Sequence, residues 1–193
     1  QIKISNTGTY ATPPPYAPLS TTPCVSCSQT TEDRDAAGWS ACHCAIDASS
    51  YSWRAHRAAM ALIRITPLSV LNSPITGQHA LGSTCLHLAC DGSDVGLSRN
   101  TLARQLLARR VNLEAKQGKG STPLLLACGS GVADVVKTLV HARADVHTTN
   151  NRGLTPLQAA TLCSKTSRSE VVEFVRGWVE WVPPCRQRSS ASE

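Results

Sequence analysis

The stretch "GLTPLQAA" at residues 153–160 decides the fold, because it has the composition of a tight turn followed by a short, closely packed helix. Thr155 suits the position before the helix, where its hydroxyl can accept a hydrogen bond from a free backbone N–H of the first turn. Pro156 suits the next position, since its fixed φ is helical and its missing N–H is not needed there. Gly153 fits a turn that requires positive φ. The string therefore predicts a helix start.

Three similar strings occur upstream. They are "GWSACHCA" (38–45), "GSTCLHLA" (82–89) and "GSTPLLLA" (120–127), so that successive starts lie 44, 38 and 33 residues apart. Periods near 33 residues, fixed or slightly stretched, are typical of stacked helical repeats.

A second helix follows each of the better-formed strings. After the third string, Val135, Val136, Leu139 and Val140 are spaced as one face of a helix. Leu102, Leu106 and Leu107 take the same places after the second string. The repeating unit is therefore a pair of helices.

In this pattern the chain resembles the ankyrin-repeat family, whose units begin with Gly-x-Thr-Pro-Leu-His-x-Ala and close with a Gly-Ala-Asp-Val-Asn type turn. The resemblance covers residues 35–182 and implies an all-α ankyrin solenoid of about four repeats. The repeats are placed at about 35–72, 80–112, 117–149 and 150–182, with inserted loops near 91–98 and 163–169. The first repeat is degenerate, since Ser40, Ala41 and Cys42 replace the family's Thr, Pro and Leu.

Several positions depart from the family pattern. Arg143 stands where the family usually has the glycine that ends the second helix, and a left-handed backbone there would cost up to about 1 kcal/mol relative to Gly. Leu125 and Gln158 replace the family His, which His43 and His87 retain. Residues 66–81 are longer than a family finger loop, and we expect an extended finger there.

The resemblance also implies a function, because ankyrin repeats usually bind other proteins with the concave side that the finger loops and first helices line. The contact residues that this implies on the fingers and after the first helices are His79, Asp91, Gln117, Lys119, Ser121, Gly129, Ser130, Asn151, Arg152 and Leu154. The alternative is that they are ordinary solvated loop residues.

The last unit is unusually apolar for the end of a repeat stack, which normally has a polar outer face. Val171, Phe174, Val175 and Trp178 lie on one helical face of "VVEFVRGWVEWVPP" (171–184), and Trp181 adds apolar area elsewhere. Either a tail or a partner is expected to cover this surface, so Trp178 and Trp181 are further candidate contacts.

Charge does not indicate nucleic-acid binding. The formal net charge is +6, and Arg99, Arg104, Arg109, Arg110, Lys116 and Lys119 form one basic zone. At helical spacing we interpret these as solvated charges on outer helix faces, because a nucleic-acid site would need a denser patch with stacking aromatics. No apolar run approaches the ~18–20 residues that a transmembrane helix needs, although a complex that contains the chain could still be bound to a membrane.

Nine scattered cysteines, several of them in apolar helical strings, indicate reduced thiols inside the cell rather than a disulfide framework. Cys24, Cys27, Cys42 and Cys44 have spacings that invite a zinc site. The second pair is C-x-C, however, and Cys42 takes the buried Leu position of the first repeat. We therefore predict no metal and no other cofactor, and keep a small zinc or thiol regulator built on residues 24–44 as an alternative.

The flanks differ from the repeats. Residues 1–34 are predicted to be an extended, Ser/Thr/Pro-rich N-terminal arm. Pro13, Pro14, Pro15 and Tyr16 in this arm match the peptide motif that WW domains bind, although a plain extended linker explains them as well. Residues 183–193 form a basic C-terminal tail.

No G-x-S-x-G elbow, P-loop or H-E-x-x-H motif occurs, and we predict neither catalysis nor a small-molecule substrate. The predicted function is a non-catalytic protein-interaction scaffold, a peripheral structural subunit of a larger multiprotein complex. The main alternative is a free adaptor that recruits partners transiently. We expect an intracellular protein, in the cytoplasm or, if a transit peptide has been removed before Gln1, in an organelle matrix or stroma.

Overall fold

The computed structural model describes residues 33–49, 51–77, 80–91, 97–163 and 168–180. Within these ranges the chain is helical, and the one β-bridge, between Arg34 and Ser40, is isolated. The predicted all-α repeat solenoid is confirmed. The N-terminal arm that was predicted to be extended, as far as residue 32 and with the PPPY motif at 13–16, and the C-terminal residues 181–193 lie outside the described residues.

The helices come in pairs, with one short extra helix after the first pair. Their bounds are α1 Ala41–Ala48, α2 Trp53–Ile65, α3 Leu68–Leu71, α4 Cys85–Cys90, α5 Leu97–Ala108, α6 Pro123–Ser130, α7 Ala133–His141, α8 Pro156–Leu162 and α9 Arg168–Glu180. The residues of the two expected inserted loops fall largely between the described ranges.

The pairs stack in two layers. The first helices contact each other in the order α1, α4, α6 and α8, and the second helices contact each other in the order α2, α5, α7 and α9. Ile46, Leu86 and Leu124 of the first layer and Leu106 and Leu139 of the second are fully buried in one continuous core. A unit alone could not bury these side chains, so each pair depends on its neighbours for stability.

The stretch after α2 is only in part the extended finger that the sequence suggested. Residues 68–71 form the short helix α3, whose Val70 and Leu71 are buried. The finger itself is the second half, where Ile75 N–H donates to the Ser83 carbonyl and Gly82 N–H donates to the Ile75 carbonyl. α3 therefore closes the first helix pair before the finger begins.

Two arginines occupy left-handed positions where the family usually has glycine. Arg143 has φ 70°, as expected for its place after α7, and Arg110, which lies 33 residues earlier, has φ 57°. Their N–H groups close the preceding turns by donating to the Val140 and Leu107 carbonyls, both at 2.9 Å. Each arginine costs about 1 kcal/mol relative to glycine.

The interpretation of the basic zone as solvated charges is wrong for two of its members. Arg99 is 5% exposed, and its guanidinium donates to the Leu88 carbonyl near the end of α4. Arg109 is half-buried and donates to the Arg64 carbonyl and, at 3.0 Å, to the Thr66 carbonyl at the end of α2. Both side chains bind carbonyls at helix ends, so they stabilise the packing of one helix against another.

Candidate protein-binding surface

Four tight turns precede the first helices, and we call them the fingers: residues 35–39, 75–83, 117–121 and 150–154. Each finger contains a glycine with positive φ, namely Gly38 (78°), Gly82 (77°), Gly120 (73°) and Gly153 (73°). In the third finger Gly120 N–H donates to the Gln117 carbonyl at 2.7 Å, and in the fourth Gly153 N–H donates to the Asn150 carbonyl at 2.9 Å. The left-handed glycine is therefore what lets each finger reverse direction.

Backbone hydrogen bonds join each finger to the next. The acceptor is in each case the carbonyl of the residue just before the finger glycine. The bonds run from Gly77 N–H to Ala37 (2.9 Å), from Gly118 N–H to Leu81 (2.7 Å) and from Asn151 N–H to Lys119 (3.1 Å). The fingers therefore form one row whose spacing is set by the main chain rather than by side chains.

The side chains at the finger tips are accessible in three of the four fingers. Leu81 is 56% exposed, and Lys119 and Arg152, which hold the equivalent position before the finger glycine, are exposed as well. The predicted contacts Lys119 and Arg152 therefore lie where a partner could touch them. Sequence analysis missed Leu81 and named His79 instead, which lies outside the described residues.

The remaining predicted finger residues differ in their surroundings. Asn151 is exposed, but its side-chain amide donates to the Gly118 carbonyl at 3.3 Å and so ties two fingers together. Gln117 is half-buried and its Oε1 accepts from the Ser83 hydroxyl at 3.1 Å. Leu154 is half-buried. These three residues therefore hold the fingers in place more than they offer side chains to a partner.

Ser121 does not belong to an accessible surface. It is 4% exposed, and its carbonyl lies 3.1 Å from His87 Nε2 of the preceding repeat. A buried backbone acceptor that already has a donor is a packing contact, so we remove Ser121 from the candidate surface. Of the residues predicted to follow the first helices, Asp91 does follow α4 and is exposed, whereas Gly129, which is exposed, and Ser130, which is half-buried, belong to the last turn of α6.

Buried caps fix the first helices behind the fingers. In α4, Thr84 N–H donates to His87 Nδ1 at 3.2 Å, so Nε2 carries the proton that His87 gives to the Ser121 carbonyl. His43 makes the same cap with Ser40 in α1. In α8, Gln158 takes the histidine's place, and its Oε1 accepts from Thr155 N–H at 3.0 Å. The predicted cap at Thr155 and the structural role of His87 are confirmed.

These caps predict an acid-sensitive fold. Burial, with a smaller contribution from the charge of Arg34, lowers the pKa of His43 to about 4, and burial lowers the pKa of His87. An unfolded histidine has a pKa of about 6.5, so between pH 6.5 and 4 the unfolded chain takes up a proton that the folded His43 does not. The neutral, buried histidine therefore stabilises the fold above the pKa of the unfolded histidine, and this contribution is lost as the pH falls. For His43 the free energy of unfolding should decrease by about 2–3 kcal/mol between pH 7.5 and 4.5.

Urea unfolding at the two pH values measures this loss, and His43→Gln is the matched variant because Gln158 shows that glutamine completes the same cap. We expect His43→Gln to retain the fold. On acidification its free energy of unfolding should decrease by about 2–3 kcal/mol less than that of the wild type. An equal loss in both proteins would show that His43 does not carry the effect.

The last helix pair holds a small aromatic cluster. The ring of His141 lies 5.9 Å from the rings of both Phe174 and Trp178, which are half-buried, and Val171 and Val175 of the same helix are buried. The helical face predicted for α9 is thus packed on α7. A shallow groove lined by Phe174, Gly177 and Trp178 remains beside it, and Trp181 lies outside the described residues.

The two described members of the candidate zinc set, Cys42 and Cys44, differ in their surroundings. Cys42 is buried and Cys44, two residues on, is exposed, so the C-x-C pair does not face one site, and Cys24 and Cys27 lie outside the described residues. No cluster of three or more potential metal ligands occurs among the described residues. Burial raises the pKa of Cys90, and it raises that of Cys128 to about 12, which keeps both as unreactive thiols.

Comparison with known proteins identifies the repeat. A tyrosine-protein kinase of Hydra vulgaris, HTK16, is 31% identical over 84 residues, which make up 44% of this chain and 11% of the kinase. The alignment thus spans about a tenth of that protein, and it falls on the repeats. No helix in the described part of the chain combines the length and the apolar character that crossing a membrane requires.

The family comparison covers most of the helical region. The pattern described as "Ankyrin repeats (3 copies)" matches residues 56–149 and 86–176, which is more than half of the chain. Ankyrin repeats are protein–protein interaction modules and are typically non-catalytic. The paired helices, the glycine turns and this match together show that the chain belongs to the ankyrin-repeat family.

Proposed function

We propose that this protein is a non-catalytic scaffold that binds a partner protein with its finger row. The observation that supports this most directly is the chain of backbone hydrogen bonds between successive fingers, which fixes the tips relative to one another before any partner arrives. A surface ordered in advance loses little conformational entropy on binding, so more of the contact energy appears as affinity.

The exposed side chains of the row define the partner's chemistry. Leu81 offers an apolar contact, while Lys119 and Arg152 offer positive charge and form no ion pair with a described residue. The complementary surface is one that places an apolar side chain between two carboxylates. Gly129 and Asp91, exposed near the ends of α6 and α4, extend the area available to it.

Within that function we favour a peripheral structural subunit over a free adaptor. Two apolar side chains of the last helix pair support this choice, since Leu162 is 70% exposed and Val172 is half-buried beside a groove, although the exposed residues of α9 itself are polar or glycine. A terminal repeat that stays in water normally has a polar outer face. A permanent neighbour would cover these apolar groups, whereas a transient one would leave them in water for part of the time.

The experiment is quantitative affinity purification of the tagged protein from its source cells at high salt, with the stoichiometry of co-purifying chains measured by mass spectrometry. The test variant is Lys119→Glu combined with Arg152→Glu. Its control is Arg110→Glu combined with Lys116→Glu, two exposed residues after α5, which changes the net charge equally away from the finger tips. We expect a stoichiometric partner with the wild type and the control, and about tenfold less of it with the finger variant.

The other outcomes are equally informative. Partners recovered well below one per chain would replace the subunit with the free adaptor, and a WW-domain protein among them would then point to residues 13–16. Full recovery with the finger variant would remove the finger row as the contact surface.

A further inference from the structure

A second surface, on the outer helix layer, combines exposed aromatic and basic side chains. Tyr51 and Trp53, at the start of α2, are 85% and 65% exposed. The guanidinium carbons of Arg54 and Arg57 lie 5.7 and 5.8 Å from the centroid of the Trp53 ring. Large aromatic side chains are seldom this exposed on a monomer without a partner, and the stacked arginines are held in place by the indole.

The basic side chains continue along the helix. Arg54, Arg57 and Arg64 are exposed on α2, and between them Ala58 and Ala61 are also exposed. The distance from residue 54 to residue 64 along a helix is about 15 Å, which an extended chain covers in about five residues. Because alanine side chains are short, we expect a shallow trough between the arginines, in which such a chain could lie close to the helix. We call the face formed by these five residues and Trp53 the outer stripe.

No carboxylate lies on α2, which forms the outer stripe, or on α5, its neighbour in the outer layer, and α1, which packs on α2 from the first layer, carries one, the exposed Asp47. Residues 53–65 and 97–108, which form α2 and α5, contain no Asp or Glu. His56 Nε2 lies 3.3 Å from the Thr101 hydroxyl, which sets α2 against α5 and brings the exposed Arg104, one turn along α5, to the same side. The only ion pair among the described residues joins Lys137 and Glu170 on later helices. The positive charge of the stripe is therefore available to a ligand.

We propose that the outer stripe binds an acidic segment of a partner protein, with Arg54, Arg57 and Arg64 pairing with its carboxylates. Charge complementarity supports this occupant, because each guanidinium can donate two parallel N–H···O hydrogen bonds to one carboxylate. The stripe shares no residue with the finger row, so this inference does not depend on the proposed function.

Two other anionic surfaces fit less well. A single-stranded nucleic acid would stack its bases on the indole, but two guanidinium groups already lie against the Trp53 ring. An anionic membrane would need apolar side chains that insert between the charges, whereas the large exposed apolar residues Trp53 and Ile65 lie at the two ends of α2 and the outward-facing residues between its arginines are alanines. A peptide chain requires only the trough and the charges that the stripe supplies.

The test uses the full chain and a fluorescein-labelled peptide that alternates glutamate and leucine, followed by fluorescence anisotropy. The matched probe has glutamine in place of every glutamate. We expect the glutamate peptide to bind, the glutamine peptide to bind about tenfold more weakly, and Arg54→Glu combined with Arg57→Glu to weaken the glutamate peptide by about tenfold. Circular dichroism melting shows whether the variant keeps the fold, which the exposure of both arginines predicts.

Controls separate this surface from the rest of the molecule. The Lys119→Glu and Arg152→Glu protein, which has the same change in net charge, should bind the glutamate peptide as the wild type does. Equal binding to the wild type and to the Arg54→Glu and Arg57→Glu variant would overturn the proposal. Tighter binding of an oligodeoxythymidine or of phosphatidylserine vesicles than of the glutamate peptide would overturn it as well, and would assign the stripe to that ligand.

Discussion

Replacing Leu106 by alanine should lower the free energy of unfolding by about 2–5 kcal/mol. The Leu106 side chain is fully buried in α5, which packs between α2 on one side and α7 on the other. Removing its terminal carbons leaves a cavity, and α5 cannot move to close it because it is packed on both sides. The lost hydrophobic transfer free energy and the cost of the cavity therefore add. Urea and thermal unfolding followed by circular dichroism measure the loss.

The neighbouring residue is the control. Leu107 is half-buried at the edge of the same core, and Leu107→Ala should cost about 1 kcal/mol. Because each repeat is stable only when packed against its neighbours, we expect Leu106→Ala to unfold in one transition at lower urea concentration and temperature, rather than in two separate transitions. Melting of Leu106→Ala at the wild-type temperature would show that α5 does not present this face to the core.

Replacing Gly82 by alanine should destabilise the fold almost as much, by about 2–4 kcal/mol. Two causes add: a positive φ costs an alanine about 1 kcal/mol, and a Cβ forced into a packed site costs about 1–3 kcal/mol. The added Cβ would lie 2.8 Å from Gly118 N and 3.0 Å from Gln117 Cα, and these backbone atoms cannot move without breaking the bond between the second and third fingers.

Gly153 separates the two causes. Its φ of 73° is nearly that of Gly82, but a Cβ there would meet nothing within 4 Å. Gly153→Ala should therefore lower the free energy of unfolding only by the cost of the positive φ, about 1 kcal/mol. Equal losses in the two variants, measured by urea unfolding, would mean that the close approach of the fingers contributes nothing to stability.

What the sequence could predict is the part of the structure that neighbouring residues determine. The cap at Thr155 and the turn at Gly153 depend on groups within a few residues of each other, and both are present. The buried face of α7 follows from helical spacing alone, and Leu139 is fully buried as that spacing predicts. Repetition made these predictions firmer, because the same local rule applied at several places.

Contacts between repeats could not be predicted in this way. The sequence treats Arg99 and Arg109 as ordinary surface arginines, whereas the structure places each against carbonyl groups at the end of a helix 11 or more residues away in sequence. Ser121 looks like a loop residue until the ring of His87, 34 residues earlier, is brought to its carbonyl. These roles depend on which surfaces meet when the repeats stack.

The candidate surfaces were predictable only in part. Leu81 carried a usable signal, because it precedes its finger glycine just as Lys119 and Arg152 precede theirs, and careful alignment of the fingers would have selected it in place of His79. The sequence signal for the outer stripe was weaker. The lack of acidic residues between Asp47 and Asp91 is visible in the sequence, but the exposure of Trp53 and the stacking of two arginines on it are properties of the folded chain.

The uneven distribution of charge along the outer helix layer gives the repeat region an electric dipole moment. α2 and α5 carry only arginines as charged residues, whereas α7 and α9 together contain Asp134, Glu170, Glu173 and Glu180 beside three cations. The positive end of this dipole lies toward the first repeat. A negatively charged body approaching in dilute salt would exert a torque that turns that end toward it before contact, and added salt would abolish this alignment at separations greater than the Debye length, which is about 10 Å at about 0.1 M ionic strength.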